Sequence, residues 1–492
     1  MAALRAPQAL ALVGHAQPAP ADVQPPAIGR PTPYGHRQQA GQAGPGERAA
    51  WLAWAPGLLI TAARRPPSWQ RRAAAWQRLR RRLATRPAAT AGVAAGATSR
   101  TAEAAPERTV LVLGGCGRVG GSSARWLRRL CLEEDMPAPR LIFGGRDRSA
   151  FDAAVERLGG RKELGEKVDF VELDAWGSGG GFGPQASQRL QAVMKEVSPD
   201  LVLHAAGPFQ GRDQPLALEA ALGAGVAYVD VCDDTELCRQ AKGLGSVASD
   251  VGVPAVVSAG IWPGVSALLV AEAAARLPQG HAERAQLSFF TAGTGGAGPT
   301  IVSATFLLLA ERPLVYRGGQ AQRPEPWSAR RLVDFGPGVG ERYVHLLDEP
   351  ECYTCHECLG VPTIDSSFGT APEIWNQMFA AVQRIVPPTV LANKALMQAL
   401  AVFSMPIIRA VDTLVGSTNA MRVDAYGAGG KVVTLRVTHP DLESCVGIGT
   451  AAFAVELLKG GVEPGVWFPA EMSASRAAIL RRARTTSILW EV

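Results

Sequence analysis

Thr109-Val110-Leu111-Val112-Leu113 is a β-branched and aliphatic run, short and apolar enough to be a buried strand. It passes without a spacer into Gly114-Gly115-Cys116-Gly117-Arg118-Val119-Gly120, where Gly115, Gly117 and Gly120 are spaced G-x-G-x-x-G. Ala124, Leu127 and Leu130 then fall on one helical face. A strand that turns at once into a helix through glycines at these positions is a βαβ unit built to receive a pyrophosphate. On this reading Gly115 makes the tight turn, Gly117 lets the backbone approach the phosphates, and Gly120 lets the helix pack on the strand. The anion sits on the helix N-terminus, where free N–H groups and the helix dipole favour negative charge. In a chain with 54 glycines the spacing alone carries little weight. The strand before it and the helix after it give it meaning.

The following segments extend the same sheet. Arg140–Gly145 is a second strand, and Arg146-Asp147 follows it. An acid at this strand end binds a ribose 2′-OH, whereas an arginine suits a 2′-phosphate. Arg146 comes first, so NADP is expected, and Asp147 keeps NAD open. A third strand, 167–174, ends in Asp174, which either reaches the adenine side or caps its own turn. Gly177–Gly183 is glycine-rich but lacks G-K-[ST] and reads as a connection. The fourth strand, 200–209, ends in Ala206-Gly207-Pro208, small enough to let a nicotinamide ribose pass the strand tips, where ligands bind in open α/β sheets. His204 within it reads as structural. A fifth strand runs from Val226 into Cys232-Asp233-Asp234. A sixth, 254–258, leads through Ala259-Gly260-Ile261-Trp262-Pro263-Gly264 into a helix over 265–276.

Charge separates the chain into two parts. The first 102 residues hold 14 Arg, no Lys and two acids, a net +12, which leaves −6 on the rest of a chain whose total is +6. An acidic body is a poor match to a phosphate backbone, so nucleic acid is not an expected partner. Alanine makes up 27 of the first 100 residues, and 69–83 can form a basic amphipathic helix. Such an Arg-rich, acid-poor leader reads as an organelle transit peptide, with the chloroplast favoured over the mitochondrion. No run of 18 uninterrupted apolar residues occurs, and no internal repeat is found.

TVLVLGGCGRVGGSSARWL, LIFGGRD, LVLHAAGPFQ, VAYVDVCDD, AGIWPGVSALL and the C-terminal GVEPGVWFPAEM resemble, in order and spacing, the saccharopine dehydrogenase-like oxidoreductases. The resemblance covers roughly 107–472. It implies an α/β fold: a Rossmann-type doubly wound parallel sheet, an inserted α+β second domain, and a C-terminal return to the first. The expected divisions are 1–104 transit peptide, 105–283 dinucleotide-binding domain, 284–440 second domain and 441–492 return segment. The resemblance also implies cofactor contacts at Gly115, Gly117, Arg118, Val119, Gly120, Arg146, Ala206 and Gly207. The implied activity is hydride transfer to or from a C–N centre of a small-molecule substrate.

Tyr228, Asp230 and Asp233 are the candidate catalytic residues, with Trp262 as a pocket wall and His356 as a weaker proton donor. Arg212 and Arg342 are candidate carboxylate clamps. Cys352-Tyr353-Thr354-Cys355-His356-Glu357-Cys358 mimics a haem or zinc motif but has no partner C-x-x-C, so no metal is expected. The apolar segment 395–415, interrupted by Pro406 and Arg409, reads as a buried helix pair or an interface. A peripheral membrane or lipid contact and a homodimer are compatible with it. Two alternatives stand beside the C–N reductase: a lipid enoyl or keto reductase, favoured by 395–415, and an NADP-binding sensor without turnover.

Overall fold

The computed structural model describes residues 107–174, 184–293 and 298–492. The basic leader and Gly177–Gly183 lie outside them. Six strands form the first sheet in chain order: β1 (Thr109–Leu113), β2 (Arg140–Gly145), β3 (Asp169–Glu172), β4 (Leu201–His204), β5 (Ala227–Asp230) and β6 (Pro254–Val256). A late strand, β15 (Gly465–Trp467), completes it. The order is β15-β6-β5-β4-β1-β2-β3, and every pairing is parallel. The reversal of direction at β1 is the topological switch point of a doubly wound sheet.

Strand alternation builds both faces. Val110 and Val112 are fully buried with Leu127 and Leu130 of the helix Arg118–Glu133 and with Ile448 and Phe453 of the helix Leu442–Leu458. Leu111 and Leu113 point the other way, into Leu190, Met194, Leu218 and Leu222. The sheet is therefore covered by helices on both sides, as near-continuous apolar strands require.

The second sheet is mixed and has nine strands. Its main path is β10 (Arg331–Asp334), β11 (Glu341–Leu346), β12 (Thr363–Ala371), β7 (Arg284–Ala292), β13 (Thr418–Tyr426), β14 (Val432–His439) and β16 (Leu489–Glu491), with β8 (Val315–Arg317) and β9 (Gln320–Gln322) off it. β7 and β12 are parallel, and β13–β14 is the antiparallel hairpin that the 421–437 pattern suggests. The tail divides its service. β15 joins the first sheet, but β16 pairs with β14 and so ends on the second.

The segment 395–415 is neither buried nor a pair. It is one helix, Lys394–Val415, that continues through Pro406. Only Met397, Ala401 and Met405 are buried along it, a single i, i+4, i+8 stripe, and the helix packs on Pro299–Leu308. Phe403, Ile407 and Leu414 face outward, Leu414 at 85% exposure. A proline inside a helix removes one N–H donor and its bond but does not forbid the following turns, and the packed stripe at 397, 401 and 405 anchors the turns that precede it.

The return helix 442–458 is held against helix 118–133 by close approach and by charge. A Cβ on Gly447 would lie 2.3 Å from Ser122 Oγ, and Trp126 Nε1 donates to Ser444 Oγ at 3.2 Å. Arg482, 3% exposed, donates to Glu134 at 2.5 and 2.8 Å and to Glu456 at 2.6 Å. The Arg482 hydrogen bonds, with help from Lys459, hold the Glu134 carboxyl at about 2, against 4.5 ordinarily. A carboxyl depressed in the folded state stabilises it fully above about pH 4.5, and that contribution disappears as pH falls toward 2. Arg482→Met is expected to lower stability at pH 7 by roughly 3–5 kcal/mol, the scale for breaking a buried ion pair. In urea unfolding series, the gap to the unaltered chain should narrow steadily from pH 4.5 toward pH 2.

Candidate active site

The glycine turn and the strand tips meet at the carboxyl edge of the first sheet. Gly114 takes the left-handed conformation (φ +78°), so the sharp bend falls one residue before Gly115. A Cβ on Gly114 would lie 2.8 Å from the Ala206 backbone, and one on Gly120 would lie 2.4 Å from the Gly114 carbonyl oxygen. Strand β1, the end of β4 and the following helix therefore touch backbone to backbone. The helix begins at Arg118 with Gly117 as N-cap. It has no side-chain cap and no acid in its first turn. Its first N–H groups are thus open to an anion. Gly117 is exposed, and Arg118 and Val119 are half-exposed. Arg118 is turned toward Glu443 at 3.0 Å.

Arg146 is exposed and makes no hydrogen bond or ion pair among the described residues. Asp147 is engaged locally: its carboxylate accepts from Ser149 N at 2.8 Å and Ser149 Oγ at 2.9 Å, which caps the helix Arg148–Arg157 and holds its pKa down. Arg157, not singled out from the sequence, donates to the Gly117 carbonyl at 3.1 Å and adds positive charge to the turn. Its signal was absent because it lies 40 residues on, in a helix with no motif. Asp174 follows β3, and its charge acts on Arg212.

The second domain roofs this edge. A Cβ on Gly207 would lie 3.5 Å from Thr300 Cγ2, and one on Gly298 would lie 3.8 Å from Arg118 Cγ. Lys394 Nζ donates to the Gly211 carbonyl at 2.7 Å, so the long outer helix starts at the loop after β4. Trp262 is clamped between the two sheets, stacked on Phe289 at 5.0 Å and donating to Asn419 Oδ1 at 3.1 Å.

The three candidate catalytic residues part company. Tyr228 is buried. It donates to Asp230 Oδ2 at 3.0 Å and lies 2.8 Å from His204 Nδ1. Burial holds His204 neutral, with a pKa of about 3, so Nδ1 carries the proton and the tyrosine oxygen accepts it. Asp230 Oδ1 accepts from Ser258 N and Cys232 N at 2.8 and 3.1 Å. Burial raises Asp230 to about 6, and these hydrogen bonds oppose the rise. Tyr228 and Asp230 thus tie the tips of β4, β5 and β6 together, and neither has a free polar edge to offer a substrate. Asp233 differs. Its Oδ1 is buried and makes no hydrogen bond of normal geometry, with the Gln210 amide beside it. Burial lifts it to about 6, Gln210 opposing and Asp234 adding to the rise.

The remaining candidates lie apart. Arg342 rests over Phe290, which alternates with Phe289 and so lies on the sheet face away from Trp262. His356 stacks on Tyr316 at 3.7 Å and bonds Val361 O. Cys352 and Cys355 are buried hydrophobes whose thiol pKa values burial pushes up, and no cluster of metal-ligating residues occurs among the described residues.

No protein-family model matches the sequence, and no curated protein matches it. Solved structures do. Apo saccharopine dehydrogenase (L-Glu forming) from Saccharomyces cerevisiae superposes with a TM-score of 0.51 at 12% identity, over 76% of this chain and 96% of that one. A meso-dapdh mutant from Clostridium tetani E88 gives 0.37 at 11% identity over 75% and 96%. A myo-inositol-1-phosphate synthase-related protein from Thermotoga maritima MSB8 gives 0.37 at 12% identity over 76% and 98%. The first likeness speaks for the fold: a Rossmann-type sheet joined to a second, mixed-sheet domain in the arrangement of a saccharopine dehydrogenase structure.

Proposed function

We propose that this chain is an NADP-dependent oxidoreductase acting on a C–N centre of a small amino-acid-type substrate. The observation that carries the reading is the uncapped, acid-free N-terminus of helix 118–133, set on the Gly114–Gly120 turn at the sheet's switch point. Gly115, Gly117, Arg118, Val119 and Gly120 would hold the pyrophosphate, Arg146 the 2′-phosphate, and Ala206 and Gly207 the path of the nicotinamide ribose. The bound dinucleotide would supply the hydride chemistry. Arg146 has no partner among the described residues while Asp147 caps its own helix, which favours NADP over NAD.

Charge at the strand tips supports the substrate class. The field of Asp233, Asp234 and Asp348 acts on Glu311, which burial lifts to about 8, with Arg323 opposing. Such a concentration of carboxylates suits an ammonium or iminium group. Lys394 and Arg212 beside it suit a substrate carboxylate. Asp233 would hold the exchanged proton at its Oδ1. The fold relative is named for an L-Glu-forming saccharopine dehydrogenase, which agrees in kind. The lipid-reductase alternative rests on 395–415, where Met397, Ala401 and Met405 pack on the 299–308 helix and Phe403, Ile407 and Leu414 face outward. That outer face remains open to a membrane or to a second copy. The basic leader is read as a transit segment, plastid before mitochondrion.

Fluorescence titration should show NADPH binding more tightly than NADH. Arg146→Ala should weaken NADPH by roughly tenfold or more, as for a lost charge-assisted hydrogen bond, and leave NADH unchanged. No binding of either nucleotide would sink the reading. With an imine substrate and NADPH, the rate should fall as pH rises through about 6, the value to which burial lifts Asp233. In the oxidative direction the slope should reverse. Asp233→Asn should flatten both profiles and cost about 10²–10⁴ in turnover. Tyr228→Phe should instead leave the pH profile in place and lower unfolding stability by about 1–3 kcal/mol.

A further inference from the structure

Across the second sheet from the strand tips lies a cavity of about 380 Å³, lined by Arg284, Gln286, Arg317, Arg331, Asp365 and Ser367 among others. Its placement follows from strand alternation. Phe289 of β7 turns toward Trp262 and the first domain, so Gln286 and Ser288 turn to the opposite face. Register sets Asp365 and Ser367 of β12 directly beside them. The dinucleotide cradle and this cavity are therefore on different faces of the molecule's second layer.

Three arginines line the cavity against one carboxylate. Asp365, 3% exposed, is already engaged by Arg317 at 3.0 Å, by Arg331 at 3.1 Å and by Gln286 at 3.3 Å. Arg331 places its remaining terminal nitrogen on Leu287 O and Ser288 Oγ. Its Nε is buried with no partner, and so is Ser367 Oγ. Arg284 lies over the Tyr426 ring at 5.0 Å and pairs with no carboxylate among the described residues. The wall of one cavity thus contains two buried donors without a partner and, at its exposed rim, a guanidinium without a carboxylate among the described residues. A buried donor without a partner is costly, and a planar guanidinium answers a carboxylate or phosphate with parallel N–H···O bonds. Burial also draws the Arg331 pKa down, Asp365 opposing, a cost that a bound anion would offset. The volume is in the range of small-ligand pockets, roughly 300–1,000 Å³.

We propose that this cavity is a second ligand site, taking a small anion that carries a phosphate or carboxylate group, and that it works independently of the dinucleotide cradle. The test is calorimetric titration of the full chain with inorganic phosphate and, in parallel, with succinate. Arg284→Gln and Ser367→Ala are the variants, because Arg284 is exposed and Ser367 Oγ makes no structural bond, so both should keep the thermal midpoint. Saturable binding of either probe, weakened roughly tenfold or more by Arg284→Gln and less by Ser367→Ala, is the expected result, and the probe that binds names the anion. Absence of saturable binding by both probes, or binding that Arg284→Gln leaves unchanged, overturns the proposal. So does a concentration-dependent dimer that Arg284→Gln dissociates while neither probe binds, since the cavity would then receive a second copy's carboxylate. NADPH titration is read separately, so failure of the oxidoreductase reading would be seen on its own.

Discussion

The backbone contact among Gly114, Gly120 and Ala206 is the constraint on which the rest of the structure depends. A side chain at either glycine would overlap main-chain atoms, at 2.8 Å for Gly114 and 2.4 Å for Gly120. That closeness brings helix 118–133 onto the tip of β1 and leaves its first N–H groups at the surface. It also fixes the distance between β1 and the end of β4, hence the width of the crevice at the switch point. Buried polar ties then hold the neighbouring tips. The His204–Tyr228–Asp230 chain, with Ser258 N and Cys232 N, locks β4, β5 and β6 at one level. Every donor in this chain meets an acceptor within it, and such linked hydrogen bonds in a low-dielectric interior favour one fixed arrangement.

Much of the first domain was legible because its signals are local. Five apolar residues, a glycine spacing and an amphipathic helix are contiguous, and each specifies its own conformation. Arg146 and Asp147 were legible as a pair, but not the division between them, since the Ser149 bonds that occupy Asp147 depend on the helix start. The strand-tip residues were harder. Tyr228, Asp230 and Asp233 look alike in sequence, as polar groups near the end of a buried strand. Only the fold shows that two of them face one another and the third does not.

Long-range features were the least legible. Lys394 reaches Gly211 across 183 positions, and Arg157 reaches the glycine turn across 40. Neither sits in a pattern. The 394–415 segment departs from the expected buried helix pair for a related reason. Apolar composition measures how much surface wants burial, whereas the actual packing is decided by which stripe finds a neighbour. Here the 397/401/405 stripe found the 299–308 helix and the opposite stripe found nothing among the described residues.

The division of the tail between the two sheets has a kinetic consequence. β15 completes the edge of the first sheet and β16 that of the second, and both lie within residues 465–491. Helix 442–458, which covers one face of β1, is also made late. On the ribosome, therefore, the glycine turn emerges early but stands uncovered while some three hundred further residues are added, which at roughly 5–20 residues per second takes tens of seconds. The first sheet can take its last strand once residue 467 is made, whereas the second waits for residue 491, so the layer that roofs the glycine turn is the last to be completed.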